Sequence, residues 1–432
     1  MSAVHEILIL GGNFGGVGAA HYLLRHTIPS LQRLDKSKSF HVTLATPNTH
    51  LFFKIGSPRA LINSTLIPEA KILRPLAEGF SAYTSSQFTL IQALATSLDS
   101  SQRIVTVTPM ISDTPTTTQQ LHYDTLIIST GTTSTSPLWT LHPDQSLTTT
   151  ALNSMHAILP TIKTVLIAGG GPVGIETAGE IATAYPSCKV TLLSGGARLL
   201  QGIKPATSAR AQVYLEHKMH VEVIHNVRVT SSDSSASIAT PSSPATIVLS
   251  DGSSRTVDLY IDATGGVPNS QFLPVEWLDD SKRVLTRDAY FRVRGNGSDD
   301  VNGVYVLGDV VAGSKNTLIE LDAMVPTVCS SVGVDLAKQL SAGDKQTMGE
   351  EGKPGFLGTL WQIVFGGKNR GGLPVQLEFK PIKDTILVPI GTDGGVGQVF
   401  GWKMPSFFVK LAKGKSFLVE LVEPMLSGEK WK

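Results

Sequence analysis

Cysteine is almost absent. The 432 residues contain two, Cys188 and Cys329, far apart and in no C-x-x-C or C-x-x-x-x-C pair. That leaves no disulfide framework, zinc site or dithiol redox centre to expect. Two reduced thiols in an intracellular protein are the expectation instead. An excess of one charge is also missing: 36 Lys and Arg stand against 35 Asp and Glu, a net of +1. No overall field therefore favours nucleic acid or any other partner of one sign. No run approaches the ~20 apolar residues that a membrane span needs. A strand is under way by Ile7, leaving no room for a signal or transit peptide. Ser2 stands where N-myristoylation requires glycine. The expectation from these absences is a soluble, cytoplasmic chain.

Glycine, by contrast, is abundant at 41 residues, with 41% hydrophobic and 16% charged residues. That profile suits an α/β enzyme, and the length suits two to three domains. The most informative stretch begins Val165-Leu-Ile-Ala and continues through Gly169, Gly171, Pro172, Val173 and Gly174. It is a complete G-x-G-x-x-G between a buried strand and a helix, the turn that presents a helix N-terminus to a pyrophosphate. A near-copy opens the chain: Ile7-Leu-Ile-Leu, then Gly11, Gly12, Asn13, Phe14, Gly15 and Gly16. Asn13 replaces the second glycine, and its tolerance of unusual backbone angles keeps the turn available. Two such units in one chain point to two dinucleotides with electron transfer between them.

Each unit continues as a doubly wound fold should. Glu6–Leu10 reads as a strand, Val17–His26 as a helix ended before Pro29, and Phe40–Ala45 as the second strand. The ribose position after it is Thr46 rather than an acid; in the second unit it is Ser194, after the strand Lys189–Leu193. With no carboxylate to repel a 2′-phosphate, NADPH is permitted alongside NADH. Arg198 is either a phosphate contact or a solvated charge. The strand ending in Thr130-Gly131 is repeated by one ending in Thr264-Gly265, which supports internal duplication. Val304-Tyr-Val-Leu ends in Gly308-Asp309, a carboxylate placed to accept bonds from ligand hydroxyls. A helix from about Glu320 to Leu340 would aim its positive end at the bound ring.

Residues 111–120 read as a polar hairpin loop, and 230–246 as a low-complexity mobile loop between hairpin strands. From about Lys353 aromatics concentrate (Trp361, Phe365, Phe379, Phe400, Trp402, Phe407, Phe408), reading as a small α+β domain. The stretch 402–418 alternates aromatics with lysines. It reads as a helix with its apolar stripe packed inward and a basic face in solvent, with weak peripheral membrane contact as the alternative.

With these features together, the chain resembles the two-dinucleotide-binding-domain flavoproteins. Within them it is similar to the ferroptosis-suppressor, apoptosis-inducing-factor-like mitochondrion-associated branch, related to type II NADH dehydrogenases. The resemblance covers nearly the whole chain. It rests on Gly169 to Glu180, Pro58-Arg59-Ala60, Gly308-Asp309, and Asp393-Gly-Gly-Val-Gly-Gln398 with Gly401-Trp402. Asn13 and Pro47-Asn-Thr-His50 are similar to fungal members. The resemblance implies two Rossmann-like domains, FAD-binding (1–135 and 266–345) and NAD(P)H-binding (136–265), and a C-terminal domain (350–432). It also implies non-covalent FAD, held by Gly11 to Gly16, Thr46, Lys54, Arg59, Thr130, Gly131, Gly308 and Asp309. The NAD(P)H side would use Gly169 to Gly174, Ser194, Arg198 and Gly265. Arg59 is otherwise a solvated surface charge.

Hydride would then pass from NAD(P)H to flavin and electrons to a small-molecule acceptor of quinone type. Glu176 is implied near the nicotinamide, orienting it or relaying a proton. Its plainer reading is an acid favoured by the helix dipole, worth about 0.3–1 kcal/mol. Lys380 is implied near the flavin, against the plainer reading of a strand-edge lysine. Glu180 is expected to pair structurally. Two alternatives stand beside the quinone reading: a tailoring oxidoreductase acting on a specific metabolite, and a redox-sensing binding protein with little turnover. No metal is expected, and oligomeric state does not follow from the sequence.

Overall fold

The computed structural model describes residues 4–110, 117–232, 244–295, 301–347, 374–380 and 383–432. Trp361 and Phe365, most of the 230–246 stretch and residues 111–116 of the 111–120 loop lie outside the described residues.

The first sheet has seven strands in the order Val304–Val306, Thr125–Ile128, His5–Leu10, Phe40–Thr46, Phe88–Asp99, Ile104–Pro109 and Gln119–His122. The first five are mutually parallel, and the last two join antiparallel. Ile7 through Leu10 are wholly buried, as a parallel strand covered on both faces requires. The helix Phe14–Tyr22 follows the first strand, and the path stays helical through a wide turn, Leu23–Thr27, into Ile28–Leu34. Pro29 therefore does not end the helix. It follows directly on the wide turn, where Ile28 N–H bonds back five residues to Leu23 O, and that widening accommodates a residue with no N–H to donate. A long helix, Leu318–Thr347, lies beside Phe14–Tyr22, with the buried Cys329 thiol against Ala19 O.

The second sheet has four parallel strands in the order Glu222–His225, Lys189–Ser194, Thr164–Ala168 and Leu259–Asp262. The helix Pro172–Ala184 follows its first strand. An antiparallel meander, Val229–Ser232, Ala245–Leu249 and Ser254–Val257, lies beside it. The chain crosses between the two units twice, at Thr132–Ser134 and Gly266–Pro268, and the crossings pair with each other as an antiparallel ribbon.

Near the C-terminus, Ile386–Pro389, Gly395–Val399 and Trp402–Lys403 form a small antiparallel sheet. It packs on the helix Pro172–Ala184, where a Cβ on Gly179 would fall 2.6 Å from Gly391 N. Helical turns follow from Ser406 to Gly414, and the segment then runs to the first unit. There His21 Nε2 donates to Leu426 O at 2.8 Å, Arg25 Nη2 to Ser427 O at 2.6 Å, and Lys430 pairs with Asp322. No helix of the described residues is long and apolar enough to cross a membrane.

Candidate active site

The two glycine turns share one geometry. A Cβ on Gly16 would fall 1.8 Å from Gly11 O, and one on Gly174 1.9 Å from Gly169 O. The last glycine of each motif is thus demanded by helix-on-strand packing, ahead of any ligand. The middle position is the N-cap of each helix. Asn13 has φ −105° and Gly171 φ −84°, ordinary extended backbone that any residue adopts. This corrects the expectation that Asn13 relies on unusual angles. The difference lies in the side chain: Asn13 Nδ2 donates to Phe52 O at 3.2 Å, whereas a Cβ on Gly171 would meet nothing within 4 Å.

Thr46 and Ser194 also occupy equivalent places. Their hydroxyl oxygens lie 2.8 Å and 2.7 Å from Cβ positions built on Gly12 and Gly170. Neither helix has an acid in its first turn, so both positive ends suit a phosphate. Asn13 Oδ1 and Asn48 Oδ1 are buried beside the first turn without a hydrogen-bond partner, acceptors left for a ligand's hydroxyls. The residues present fit two dinucleotides.

A cavity of about 1080 Å³ opens from the second turn. Gly169, Gly171, Pro172, Val173, Ser194, Arg198 and Gly265 line it, as do Lys54, Asp309 and Glu176. Gly174 does not, being buried under the helix. Gly11 to Gly16, Thr46, Arg59, Thr130, Gly131 and Gly308 lie outside its wall. Phe14 is buried against Phe53, their rings 5.4 Å apart. Thr130 Oγ1 donates to Asn269 O at 2.7 Å, which knits the crossing rather than facing the cavity. Asp309 meets Lys54 at 2.7 Å.

A compact set of buried charges runs from the cavity wall, at Glu176 and Lys413, to Arg59 and Glu180 behind it. Glu176 is only 3% exposed, and Lys413 Nζ donates to its Oε1 at 2.5 Å. Burial pushes the Glu176 carboxyl up, and the Lys413 charge opposes that rise. One turn along, Glu180 takes a two-pronged bond from Arg59, Nε to Oε2 at 2.8 Å and Nη2 to Oε1 at 2.7 Å. Burial raises the Glu180 carboxyl as well, against the pull of Arg59. Arg59 Nη1 also donates to Gly414 O and Lys415 O, and its guanidinium stacks 4.7 Å from the Phe417 ring centre. Two acids on one helix face thus meet two bases, and the C-terminal segment carrying Lys413 is clamped by the second pair.

Four expectations are corrected. Arg59 is not a surface charge: it is buried, and its guanidinium is spent on Glu180 and two carbonyls rather than left open for a flavin. Lys380 stands away from the cavity, 81% exposed and 3.0 Å from Glu378. The segment before it docks on the first unit through Gln376, bonded to Ser330 and Ser331, and Phe379, edge-on to Phe291, which turns Lys380 outward. Arg198 lines the cavity, but its guanidinium donates to Ile203 O at 2.9 Å and Gln201 O at 2.6 Å, closing its own loop. Glu176 is in the helix's second turn, since the helix begins at Pro172, so the dipole account of its presence is weak.

Lys413 was missed by sequence reasoning. A signal existed: Val409, Lys413 and Phe417 are four residues apart, and the two apolar members are fully buried, so the lysine lies on the buried stripe. The 402–418 stretch is split. Val409 and Phe417 are inside, while Trp402, Phe407 and Leu411 are 77%, 69% and 70% exposed, as is Phe400 nearby at 67%.

Residues 5–331 match the pyridine nucleotide-disulphide oxidoreductase family. The chain is 31% identical to the oxidoreductase phnG of Penicillium herquei, over 99% of this chain and 97% of that protein. It is 23% identical to human ferroptosis suppressor protein 1, over 97% and 95%. Its fold is like that of Plasmodium falciparum NDH2 solved with NADH, with a TM-score of 0.60 at 16% identity, over 99% of this chain and 96% of that one.

Proposed function

The chain belongs to the pyridine nucleotide-disulphide oxidoreductase family, and from that premise we propose an FAD-dependent enzyme that takes hydride from NAD(P)H and reduces a quinone-type acceptor. The observation that carries the reading is the buried Glu176–Lys413 pair on the wall of the cavity that the nucleotide turn opens. FAD, when bound, accepts a hydride and returns the electrons singly or as a pair. The chain's residues do the rest. The turn at Gly169 to Gly174 and the helix behind it hold the donor's pyrophosphate. The turn at Gly11 to Gly16 and Asp309 would hold FAD.

A quinone taking up two electrons also needs two protons. One of them arrives with the hydride that NAD(P)H supplies; Lys413 Nζ can give the other to an acceptor oxygen, with the Glu176 carboxylate holding the ammonium in place and solvent in the open cavity recharging it. Neither residue need meet bulk water for the first transfer. The exposed Phe400, Trp402, Phe407 and Leu411 beside Lys403 and Lys410 suit weak contact with an anionic bilayer surface, where lipid quinones reside.

The test is anaerobic. NADH or NADPH should bleach a bound flavin's visible absorbance, and a quinone should restore it. Protein that retains no flavin sinks the proposal. Lys413→Met should leave bleaching by NAD(P)H largely intact and slow reoxidation by quinone, by roughly the 10²–10⁴-fold of general acid–base catalysis. Equal slowing of both halves would remove Lys413 from this role. A second reading keeps the same hydride input with a specific metabolite as acceptor, and the match to the oxidoreductase phnG accords with it as well. Absence of turnover with every quinone tried would select it.

A further inference from the structure

We infer that the nucleotide turn is built for a 2′-phosphate and that Arg228 is the residue that reads it, so that NADPH is the preferred donor. The inference rests on the family's use of pyridine nucleotide and concerns the chain's own residues at the ribose end of that site.

The ribose position excludes the usual carboxylate by its own hydrogen bonds. Ser194 is 2% exposed, and its hydroxyl faces two carbonyls, Gly196 O and Arg198 O, each at 3.2 Å. A hydroxyl can donate to either. A carboxylate in the same place is an acceptor only, and would set its charge against both carbonyl oxygens. The turn therefore disfavours the acid that would hold the ribose 2′-hydroxyl of NADH and repel the 2′-phosphate of NADPH.

Arg228 supplies the opposite charge from a different element. Two backbone bonds staple its loop to the turn: Asn226 N to Gly196 O at 3.1 Å and Val227 N to Ser194 O at 3.3 Å. They hold the Arg228 side chain across Gly195, where a Cβ would fall 3.0 Å from the guanidinium carbon. The residue is exposed, lines the cavity together with Gly195 and Gly196, and makes no side-chain hydrogen bond or ion pair among the described residues. The contrast with Arg198 is sharp, since that guanidinium is committed to backbone carbonyls. A planar, unspent guanidinium over a glycine at the ribose end offers two parallel N–H donors to a phosphate.

The test uses full-length protein and probes that contain only the adenylate end, so it does not depend on flavin or turnover. Titration calorimetry with 2′,5′-ADP and with 5′-AMP should show the 2′-phosphorylated probe binding at least about tenfold tighter, a gap of about 1.4 kcal/mol. The gap should shrink at high salt. Arg228→Ala should collapse the ratio, and Arg228→Lys should restore part of it, because a point charge replaces a fork. In turnover, the NADPH:NADH ratio of kcat/KM should fall with Arg228→Ala through KM and not through kcat. Equal binding of the two probes by the natural protein overturns the inference, as does an Arg228→Ala variant that keeps the ratio. Binding of neither probe overturns both this inference and the nucleotide reading beneath it. A protein that discriminates between the probes but fails to reduce quinones leaves Arg228 in place and removes only the proposed acceptor.

Discussion

Arg59 and Glu180 are the deepest ion pair of the described structure, with side chains 7% and 2% exposed. Such a pair is weak evidence for net stability, but breaking it on one side strands the other charge. Arg59→Met should destabilise the protein by roughly 3–5 kcal/mol in urea unfolding, whereas Arg59→Met combined with Glu180→Leu should recover much of that loss. Additive costs would show that the two residues do not act as a pair. His21 makes a second prediction at this scale. Its Nε2–H donates to Leu426 O, so Nδ1 must accept from Tyr83 OH, which itself accepts from Arg25 Nε. Every position is filled with the ring neutral, and burial, against the pull of the Leu426 carbonyl, lowers its pKa from 6.5 to about 4. The unfolded chain therefore takes up the proton first. Stability is full above about pH 6.5 and falls as pH drops toward 4, by up to about 3 kcal/mol. Unfolding curves at pH 7 and pH 4.5 for the natural protein and His21→Gln check this, and an identical pH slope in both refutes it.

Among elements, the glycine turns separate a packing requirement from a ligand requirement. Gly174→Ala drives a Cβ into Gly169 O and should both destabilise the second unit and abolish nucleotide binding. Gly171→Ala meets open space. It should unfold like the natural protein yet bind NAD(P)H more weakly, because the methyl occupies the approach of the phosphate. A Gly171→Ala variant with normal nucleotide affinity would mean that the pyrophosphate binds elsewhere. These turns were legible in the sequence because their spacing is itself the steric constraint: strand, glycines and helix are local and leave few alternatives. Lys413 and Lys380 were not separable by the same means. Both are lysines in the C-terminal region, and only the packing of that segment against a helix 237 residues earlier brings one of them to Glu176. The burial of Arg59 was not legible for a related reason: the acid that claims it, Glu180, lies in the other unit.

At the scale of the whole molecule, the C-terminal segment binds both units. It gives Lys413 to the nucleotide side and its last residues to His21, Arg25 and Asp322 on the other. Its outward face carries the exposed aromatics and lysines. If that face meets bilayers, flotation with phosphatidylserine-containing vesicles should capture the protein. Phe407→Ser with Leu411→Ser should release it, with no change in unfolding temperature because both side chains stand in solvent. Equal flotation of the variant would assign the contact to another surface.

The paired crossings have a consequence for engineering. Because Thr132–Ser134 and Gly266–Pro268 run side by side, residues 135–265 leave and re-enter the first unit at neighbouring points, like a cassette inserted into a loop. Such a cassette can be exchanged for one with a different donor preference by joining at that ribbon, without disturbing the strand order of the first sheet. Three positions would have to travel with any replacement. Glu176 must be there for Lys413 to meet, Glu180 for the buried Arg59 of the first unit, and Gly179 must stay bare for the C-terminal sheet to seat. A transplant that keeps the glycine turn but loses any of these would bind its nucleotide beside a site it cannot complete.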